Sequence, residues 1–137
     1  DYASGSLLFV FENGKVARVE MAAYDTKTNR RKLTGAYSDK SPLKAVLHLR
    51  EDRQVALYST DGRALVFSSA QLTPKSTRSA QGVAVMTLRR KATVSRACFL
   101  EETPLQNPAR YRARNLPAAG ALLREEDAGN QQLELKL

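Results

Sequence analysis

VALYSTDGRALVFSSAQLTPKSTRSAQGVAVMTL, residues 55–88, contains the signals for three β-strands. Val55 to Thr60 is a strand-like apolar run, and Asp61-Gly62 is a two-residue hairpin signal whose backbone twist suits paired strands. Arg63 to Phe67 then has the composition of the returning strand. After a polar loop, alternating side chains predict a further strand over Val83 to Leu88.

An earlier segment, residues 7–49, repeats this plan. Its hairpin signal is Asn13-Gly14, which precedes a strand over Lys15 to Val19. A basic loop and a second glycine follow in each copy, Gly35 in the first and Gly82 in the second. The offset of roughly 45–50 residues between the copies lies in the range of blade-type repeats. The sequence therefore predicts an all-β array of hairpin repeats.

Composition sets the outer bounds of the interpretation. A chain of 137 residues with 42% hydrophobic residues predicts one folded domain with a modest core rather than a disordered segment. No apolar run is long enough to span a bilayer, and we expect neither a leader peptide nor an anchor. A single cysteine, Cys98, excludes an internal disulfide and a Cys-rich zinc site, and it is compatible with a reducing cytoplasm.

The positive charge is concentrated in the repeats. Residues 1–100 hold 17 Lys and Arg against 8 Asp and Glu, whereas residues 101–137 hold 5 against 6. A surface of this kind attracts phosphate backbones and releases counterions on binding, largely independently of base sequence. The alternative is that these charges only keep a β surface soluble. Their recurrence in loops at the same place in each copy favours nucleic-acid binding.

The pattern of Asp61-Gly62-Arg63, Thr77-Arg78 and Gly82 between apolar strands resembles the repeat of the C-terminal domain of bacterial DNA gyrase and topoisomerase IV A subunits. That domain is a β-pinwheel, a disc of hairpin-rich blades with a basic rim around which duplex DNA bends. The resemblance covers about residues 5–100. It implies a non-catalytic domain of an ATP-dependent type IIA topoisomerase, which engages duplex DNA and presents it to the cleavage core.

The family's gyrase-specific wrapping motif, Gln-Arg-Arg-Gly-Gly-Lys-Gly, corresponds here to Asn29-Arg30-Arg31-Lys32-Leu33-Thr34-Gly35. Only Arg30, Arg31 and Gly35 match. A topoisomerase IV-like or hybrid parent enzyme therefore fits better than an enzyme of the gyrase wrapping type.

A degenerate third unit is predicted over residues 92–123, with a strand from Thr93 to Leu100. Complete pinwheels have five or six blades, so about two and a half units imply an incomplete or open array. Open arrays expose edge strands, which can pair with another copy of the chain. The predicted repeat domain is residues 1–124, and residues 125–137 are predicted to form a solvated acidic and polar tail.

The resemblance and the charge pattern together select the candidate DNA contacts. They are Lys15, Arg18, Lys27, Asn29, Arg30, Arg31, Lys32, Arg63, Lys75, Arg78, Arg89, Arg90, Lys91 and Arg96. The implied partners are double-stranded DNA, the remainder of the A subunit and the ATPase B subunit, in the nucleoid region of a bacterial cytoplasm. No membrane partner and no cofactor are expected for this domain.

Catalytic and metal sites are not predicted. His48 is the only histidine and alternates with apolar residues, so we expect it to point outward from a strand. Cys98 is expected to be a small buried hydrophobe, and Tyr111, which follows an arginine, is assigned to packing. Two alternatives stay open: a small β module for single strands or RNA, which would need exposed aromatic residues, and a protein-interaction scaffold.

Overall fold

The computed structural model describes residues 5–24, 41–75 and 82–128. Within these ranges the chain forms eight β-strands and five short 3-10 turns, and no α-helix. The strands are β1 (Ser6–Phe11), β2 (Lys15–Glu20), β3 (Leu43–Leu49), β4 (Gln54–Ser59), β5 (Arg63–Ser68), β6 (Val83–Ala84), β7 (Val94–Phe99) and β8 (Ala121–Leu122). The 3-10 turns are Met21–Tyr24, Ser69–Gln71, Leu100–Glu102, Pro108–Arg110 and Glu125–Asp127. The all-β prediction is confirmed.

The strands form two four-stranded antiparallel sheets of the same plan. The first sheet has the order β3-β1-β2-β6 and the second the order β7-β4-β5-β8. Each contains a hairpin at the predicted signal: Val10 pairs with Val16 across Asn13-Gly14, and Tyr58 pairs with Ala64 across Asp61-Gly62. The loops are longer than the predicted two residues, because the N–H of Gly14 bonds to the carbonyl of Phe11 and that of Gly62 to the carbonyl of Ser59. The prediction of two repeated hairpins is confirmed.

The boundaries of the predicted units need correction. Val83–Ala84 was expected in the second unit, but it pairs with β2 of the first sheet. Val94–Phe99 was expected in a third unit, but it pairs with β4. Ala121–Leu122 completes the second sheet beside β5. Residues 92–123 therefore form no third sheet within the described part of the chain, because they have no hairpin of their own and instead fill the open edges of existing strands.

The expected strand over Val83 to Leu88 is shorter than predicted. Only Val83 and Ala84 are in the sheet, and Val85 and Met86 turn into the core. The backbone N–H groups of Val85 and Met86 both donate to the carbonyl oxygen of Gly14, at 3.0 Å. On its other side, the Val85 carbonyl accepts from the N–H of Ala118 at 3.0 Å, and the N–H of Thr87 donates to the Ala118 carbonyl at 2.9 Å. This irregular backbone therefore satisfies its hydrogen bonds on the hairpin turn and on residue 118 rather than in a regular strand pair.

The main core lies between the two sheets. Leu8, Val10 and Val16 of the first sheet pack against residues of the second sheet, which are Val55, Leu57, Leu65 and Phe67. Each of these side chains is at most 1% exposed. Burial of such a side chain contributes about 1.5–3 kcal/mol, so this interface is the principal source of stability between the sheets.

The opposite face of the second sheet is covered by the chain that follows β7. Tyr111, Leu105 and Leu123 pack there over alanine, valine and cysteine side chains, which are Ala56, Ala64, Val66 and Cys98. Tyr111 is 1% exposed, and Cys98 is buried. The assignment of both residues to packing is confirmed.

The predicted tail begins too early in the sequence. Glu125–Asp127 is a 3-10 turn, and Asp127 is fully buried rather than solvated. Its carboxylate accepts a hydrogen bond from the Tyr111 hydroxyl at 2.6 Å. A buried charge needs such partners, and these are supplied only when the chain packs back on the second sheet. The folded part of the chain therefore extends beyond residue 124.

Candidate nucleic-acid interface

The two sheets have their hairpin turns at the same end of the molecule, which we name the hairpin end. The N–H of Val94 donates to the carbonyl of Glu12 in the first turn, at 3.0 Å, and the N–H of Thr60 in the second turn donates to the carbonyl of Thr93, at 2.8 Å. At the opposite end, the far end, residues 50–53 connect the sheets and residues 69–72 follow β5.

The turn Arg89-Arg90-Lys91 lies at the hairpin end between the two hairpin turns. The chain enters it from Met86, which is bonded to Gly14, and leaves it through Val94. The turn is closed by a hydrogen bond of 2.9 Å from the N–H of Ala92 to the carbonyl of Arg89. All three basic side chains are exposed. Three adjacent cations are thus held on a loop that both sheets anchor.

Lys91 has an unusual backbone conformation. Its φ is +67°, at the third position of the turn, where glycine or asparagine is the usual residue. A lysine in this region carries a strain of about 1–2 kcal/mol relative to the right-handed region. Strain of this kind clusters at functional positions, and here it belongs to a side chain that makes no described contact within the protein.

Three further predicted residues lie at the same end. Lys15 and Arg63 are the first residues of β2 and β5, directly after the hairpin turns. Arg96 lies opposite Tyr58 in the sheet, with its guanidinium carbon 5.7 Å from the centre of the Tyr58 ring. Arg96 is exposed, whereas the Arg63 side chain is only 16% exposed.

Lys44 also belongs to the hairpin end, although the sequence analysis did not select it. It is exposed, and its ammonium nitrogen lies 3.6 Å from a carboxylate oxygen of Glu12. Its position at the start of an alternating strand indicates an outward side chain but not which end of the sheet it occupies. The pairing of Leu43 with Phe11 places it at the hairpin end. We name seven cations of the sheets and their turns at this end the hairpin-end cluster: Lys15, Lys44, Arg63, Arg89, Arg90, Lys91 and Arg96.

The hairpin-end cluster is much more positive than the far end. Its seven cations are accompanied by two acidic residues of the hairpin turns, Glu12 and Asp61. The chain that covers the second sheet also approaches this end, because Leu122 pairs with Arg63 and Leu123 bonds to Gly62. It adds two cations and three acidic residues, which are Arg110, Arg124, Glu125, Glu126 and Asp127. The six cations of the described far end are Arg18, Arg50, Arg53, Lys75, Arg112 and Arg114. Its five acidic residues are Glu20, Glu51, Asp52, Glu101 and Glu102. The structure therefore separates the predicted cations by end, and the excess positive charge lies at the hairpin end.

Arg18 and Lys75 are the predicted contacts that lie at the far end. Lys75 is exposed, and its backbone N–H donates to the carbonyl of Arg18 at 2.7 Å. The Arg18 side chain is only 13% exposed and is hydrogen-bonded within the protein. The remaining predicted contacts, Lys27, Asn29, Arg30, Arg31, Lys32 and Arg78, fall outside the described residues.

The described residues contain no arrangement typical of a catalytic or metal centre. No group of three or more His, Cys, Asp or Glu side chains in residues 5–24, 41–75 and 82–128 could hold a metal ion. His48 is exposed on β3, as predicted. Burial raises the pKa of the Cys98 thiol, which disfavours the reactive thiolate. Burial and the hydrogen bond to Asp127 raise the pKa of Tyr111.

Six aromatic side chains are described by the structure, and they do not form a base-stacking surface. The side chains of Tyr2, Tyr24 and Tyr37 lie outside the described part of the chain. Phe9, Phe11, Tyr58, Phe67 and Tyr111 are buried, and the ring of Phe99 is covered by the Arg53 guanidinium at 3.4 Å. Single-strand binding modules expose such rings. Within the same residues, no helix has the length and apolar character needed to cross a bilayer.

Three solved structures share this fold. A DNA gyrase A C-terminal domain superimposes with a TM-score of 0.67 at 19% identity, over 93% of this chain and 48% of that one. The C-terminal domain of DNA topoisomerase IV gives 0.70 at 17% identity, over 89% and 42%. The Escherichia coli ParC C-terminal domain gives 0.64 at 13% identity, over 96% and 59%.

The chain thus has the β-pinwheel type of fold of these topoisomerase domains, and it spans about half their length. No protein-family model and no curated protein sequence matches it.

Proposed function

We propose that this chain, with the fold of the C-terminal domains of gyrase A and topoisomerase IV, is a non-catalytic domain that binds and bends duplex DNA for a type IIA topoisomerase. The observation that carries the proposal is the exposed turn Arg89-Arg90-Lys91, held between the hairpin turns of both sheets. A loop anchored on two sheets presents its charges in a fixed place, as contact with a phosphate backbone requires.

The hairpin-end cluster supplies the proposed contact surface. Arg89, Arg90 and Lys91 lie at the junction of the sheets, Lys15 and Lys44 on the first sheet, and Arg96 on the second. A duplex across this end would meet cations from both sheets in turn. Smooth bending of a short site costs about 1–6 kcal/mol, and phosphate contacts distributed along the curve offset that cost.

DNA cleavage and ATP hydrolysis would be carried out by other parts of the parent enzyme. In this proposal the cleavage core lies in the remainder of the A subunit, ATP is hydrolysed by the B subunit, and the complex acts on chromosomal DNA in the cytoplasm. The domain determines which DNA geometry reaches the core. The buried aromatic residues argue against the single-strand or RNA module.

The test is the affinity for a duplex of about 40 base pairs over a salt series. We expect the native chain to give a log-log slope near about −5 or steeper, because several phosphates are neutralised. Arg89→Glu/Arg90→Glu should make the slope shallower by about 2 and weaken binding at least about tenfold. Both residues are exposed, so the unfolding temperature should be unchanged.

The matched control is Arg112→Glu/Arg114→Glu, which makes the same charge change at the far end. We expect its affinity to stay within about threefold of the native value. Equal losses in the two variants would show that net charge, rather than the hairpin-end cluster, determines binding, and would contradict the proposal.

A further inference from the structure

The Arg18 guanidinium lies at the junction of the two sheets at the far end. Its Nε donates to the Ser6 hydroxyl of β1 at 2.8 Å, within its own sheet. Its Nη1 contacts three groups of the second half of the molecule, which are the Asp52 carboxylate at 2.9 Å, the Ser69 carbonyl at 2.7 Å and the Leu72 carbonyl at 3.2 Å. One side chain therefore joins both sheets and the chain between them.

The groups around Arg18 are also bonded to one another. The Ser69 hydroxyl donates to the same Asp52 oxygen at 3.0 Å and accepts from the N–H of Arg53 at 2.9 Å. Ser69 is fully buried and Ser6 is 2% exposed. We name this group the inter-sheet clamp: Ser6, Arg18, Asp52 and Ser69. Its bonds are directional, unlike the apolar contacts of the core between the sheets.

Arg18 is therefore poorly placed to bind a phosphate. Its side chain is 13% exposed, and a phosphate contact would cost several of its hydrogen bonds, some to buried carbonyl groups. The corresponding position in the second unit is Val66, since Lys15 corresponds to Arg63 by register. The clamp lies where the first sheet meets the second. The equivalent Val66 of the second sheet packs against the covering chain with Tyr111, and a valine side chain cannot donate hydrogen bonds.

The sheets are linked differently at their two ends. At the hairpin end, backbone hydrogen bonds connect Gly14 to the chain between β6 and β7, and Glu12 to Val94, the first residue of β7. At the far end, the clamp links β2 to the turn after β5 through side chains. Two backbone hydrogen bonds also join β2 to the chain after that turn, from the N–H of Lys75 to the Arg18 carbonyl at 2.7 Å and from the N–H of Glu20 to the Lys75 carbonyl at 2.8 Å. Without the clamp, the apolar core and the Lys75 hydrogen bonds would still join the sheets, but the side-chain contacts that fix their relative angle would be lost. The sheets could then change this angle about the hairpin end, which carries the proposed DNA contacts.

We propose that Arg18 is a positioning residue that sets the angle between the two sheets, and thereby the bend of a duplex that contacts both. This inference rests on the proposed function. It replaces direct DNA contact as the role of Arg18. It predicts that the geometry of Arg18, and not its charge, determines the bend, so that lysine does not substitute for arginine.

The experiment compares Arg18→Lys and Arg18→Met with the native chain. Spin labels at Glu20→Cys and Ser95→Cys, both exposed positions on different sheets, report the sheet angle in a Cys98→Ala background without DNA. We expect one narrow distance distribution in the native protein and a broader or shifted one in both variants. Arg50→Met, which removes an exposed charge next to the clamp, is the control and should leave the distribution unchanged.

The second readout is energy transfer between dyes at the two ends of a duplex of about 40 base pairs. Both Arg18 variants should change the transfer efficiency, while the affinity stays within about threefold of the native value. Unchanged label distances, or changed distances with an unchanged bend, would overturn the inference. An affinity loss in Arg18→Met that Arg18→Lys restores would identify Arg18 as a DNA contact and would overturn it as well.

Failure of the proposed function is distinguishable from failure of the inference. If the native chain binds no duplex at low salt, the proposed function fails and the bend with it. The label distances still decide in that case whether Arg18 sets the sheet angle. If the native chain binds and bends DNA and the variants bend it equally, only the role of Arg18 is wrong.

Discussion

Asp127 shows how far a single residue can depart from its sequence context. Its neighbours Glu125 and Glu126 are exposed, yet Asp127 is fully buried. Besides the Tyr111 hydroxyl, it accepts backbone hydrogen bonds from Gln106 at 2.6 Å and Asn107 at 3.3 Å. Burial alone would raise the pKa of this carboxyl, but these hydrogen bonds outweigh it and hold the pKa below its usual value.

We expect Asp127→Asn to lower the free energy of unfolding by about 1–3 kcal/mol, because the amide cannot accept all three hydrogen bonds. The measurement is urea unfolding, with Glu126→Gln as the exposed control. Because the folded pKa is depressed, this contribution is complete above the ordinary aspartate pKa of about 3.9 and is lost as pH falls through the folded value. The native protein and the variant should therefore converge in acid. A constant difference down to the lowest pH would contradict this account.

A substitution at Lys91 tests the proposed DNA binding separately from folding. Lys91→Gly removes one exposed charge and also the backbone strain at φ +67°. We expect the free energy of unfolding to stay the same or rise by up to about 1 kcal/mol, while the salt slope of duplex binding becomes shallower by about 1. Lys91→Ala is the control, since it removes the same charge and retains the strain. A glycine variant less stable than the alanine variant would contradict the strain argument.

At the scale of the element, the short strand β6 is the feature that joins the two units. It follows the strands of the second unit along the chain but pairs with β2 of the first sheet, with Val83 opposite Val16. Gly82 leads into it at φ +85°, and a Cβ there would lie 2.5 Å from the backbone carbonyl group of Val16. Gly62, in the second hairpin turn, has the same φ of +85° and no neighbour within 4 Å.

Alanine substitutions at Gly62 and Gly82 compare a glycine in open space with one packed against β2, and so measure how closely β6 must approach β2. Gly62→Ala should cost about 1–2 kcal/mol of unfolding free energy, because only the backbone conformation is unfavourable. Gly82→Ala should cost about 1–3 kcal/mol more, since the added methyl group also overpacks against Val16. Equal costs would show that β6 can shift away from β2 without loss. Thermal unfolding of the two variants measures the difference.

Elements differed in how well the sequence predicted them. The hairpins around Asn13-Gly14 and Asp61-Gly62 were correct because their turn chemistry and alternation lie within about a dozen neighbouring residues. The predicted assignment of the residues of β6, β7 and β8 to sheets was wrong. Two-residue strands such as β6 and β8 carry almost no periodic signal, and their partners lie tens of residues away.

At the scale of the whole molecule, the fold concentrates charge at one end. Residues far apart in sequence, from Lys15 to Arg96, meet there because both sheets have their hairpin turns at that end. The described far end is nearly neutral. In the proposed function a duplex would be attracted to this one end, and the two double charge reversals test that prediction. Edge strands β3, β6, β7 and β8 flank the two sheets, and self-association through them stays a prediction.

The sequence by itself determined the all-β class, the two hairpins, the repeat and the concentration of basic residues in it. These properties depend on turn chemistry, alternation and composition, which can be read from short segments of the sequence without knowing their tertiary contacts. Only the tertiary structure decided which sheet receives each later strand, that Arg18 joins the sheets, that Lys44 belongs to the hairpin-end cluster and that Asp127 is buried. Each of those depends on which backbone hydrogen bonds remain open after the hairpins form, and these are satisfied by residues distant in the chain.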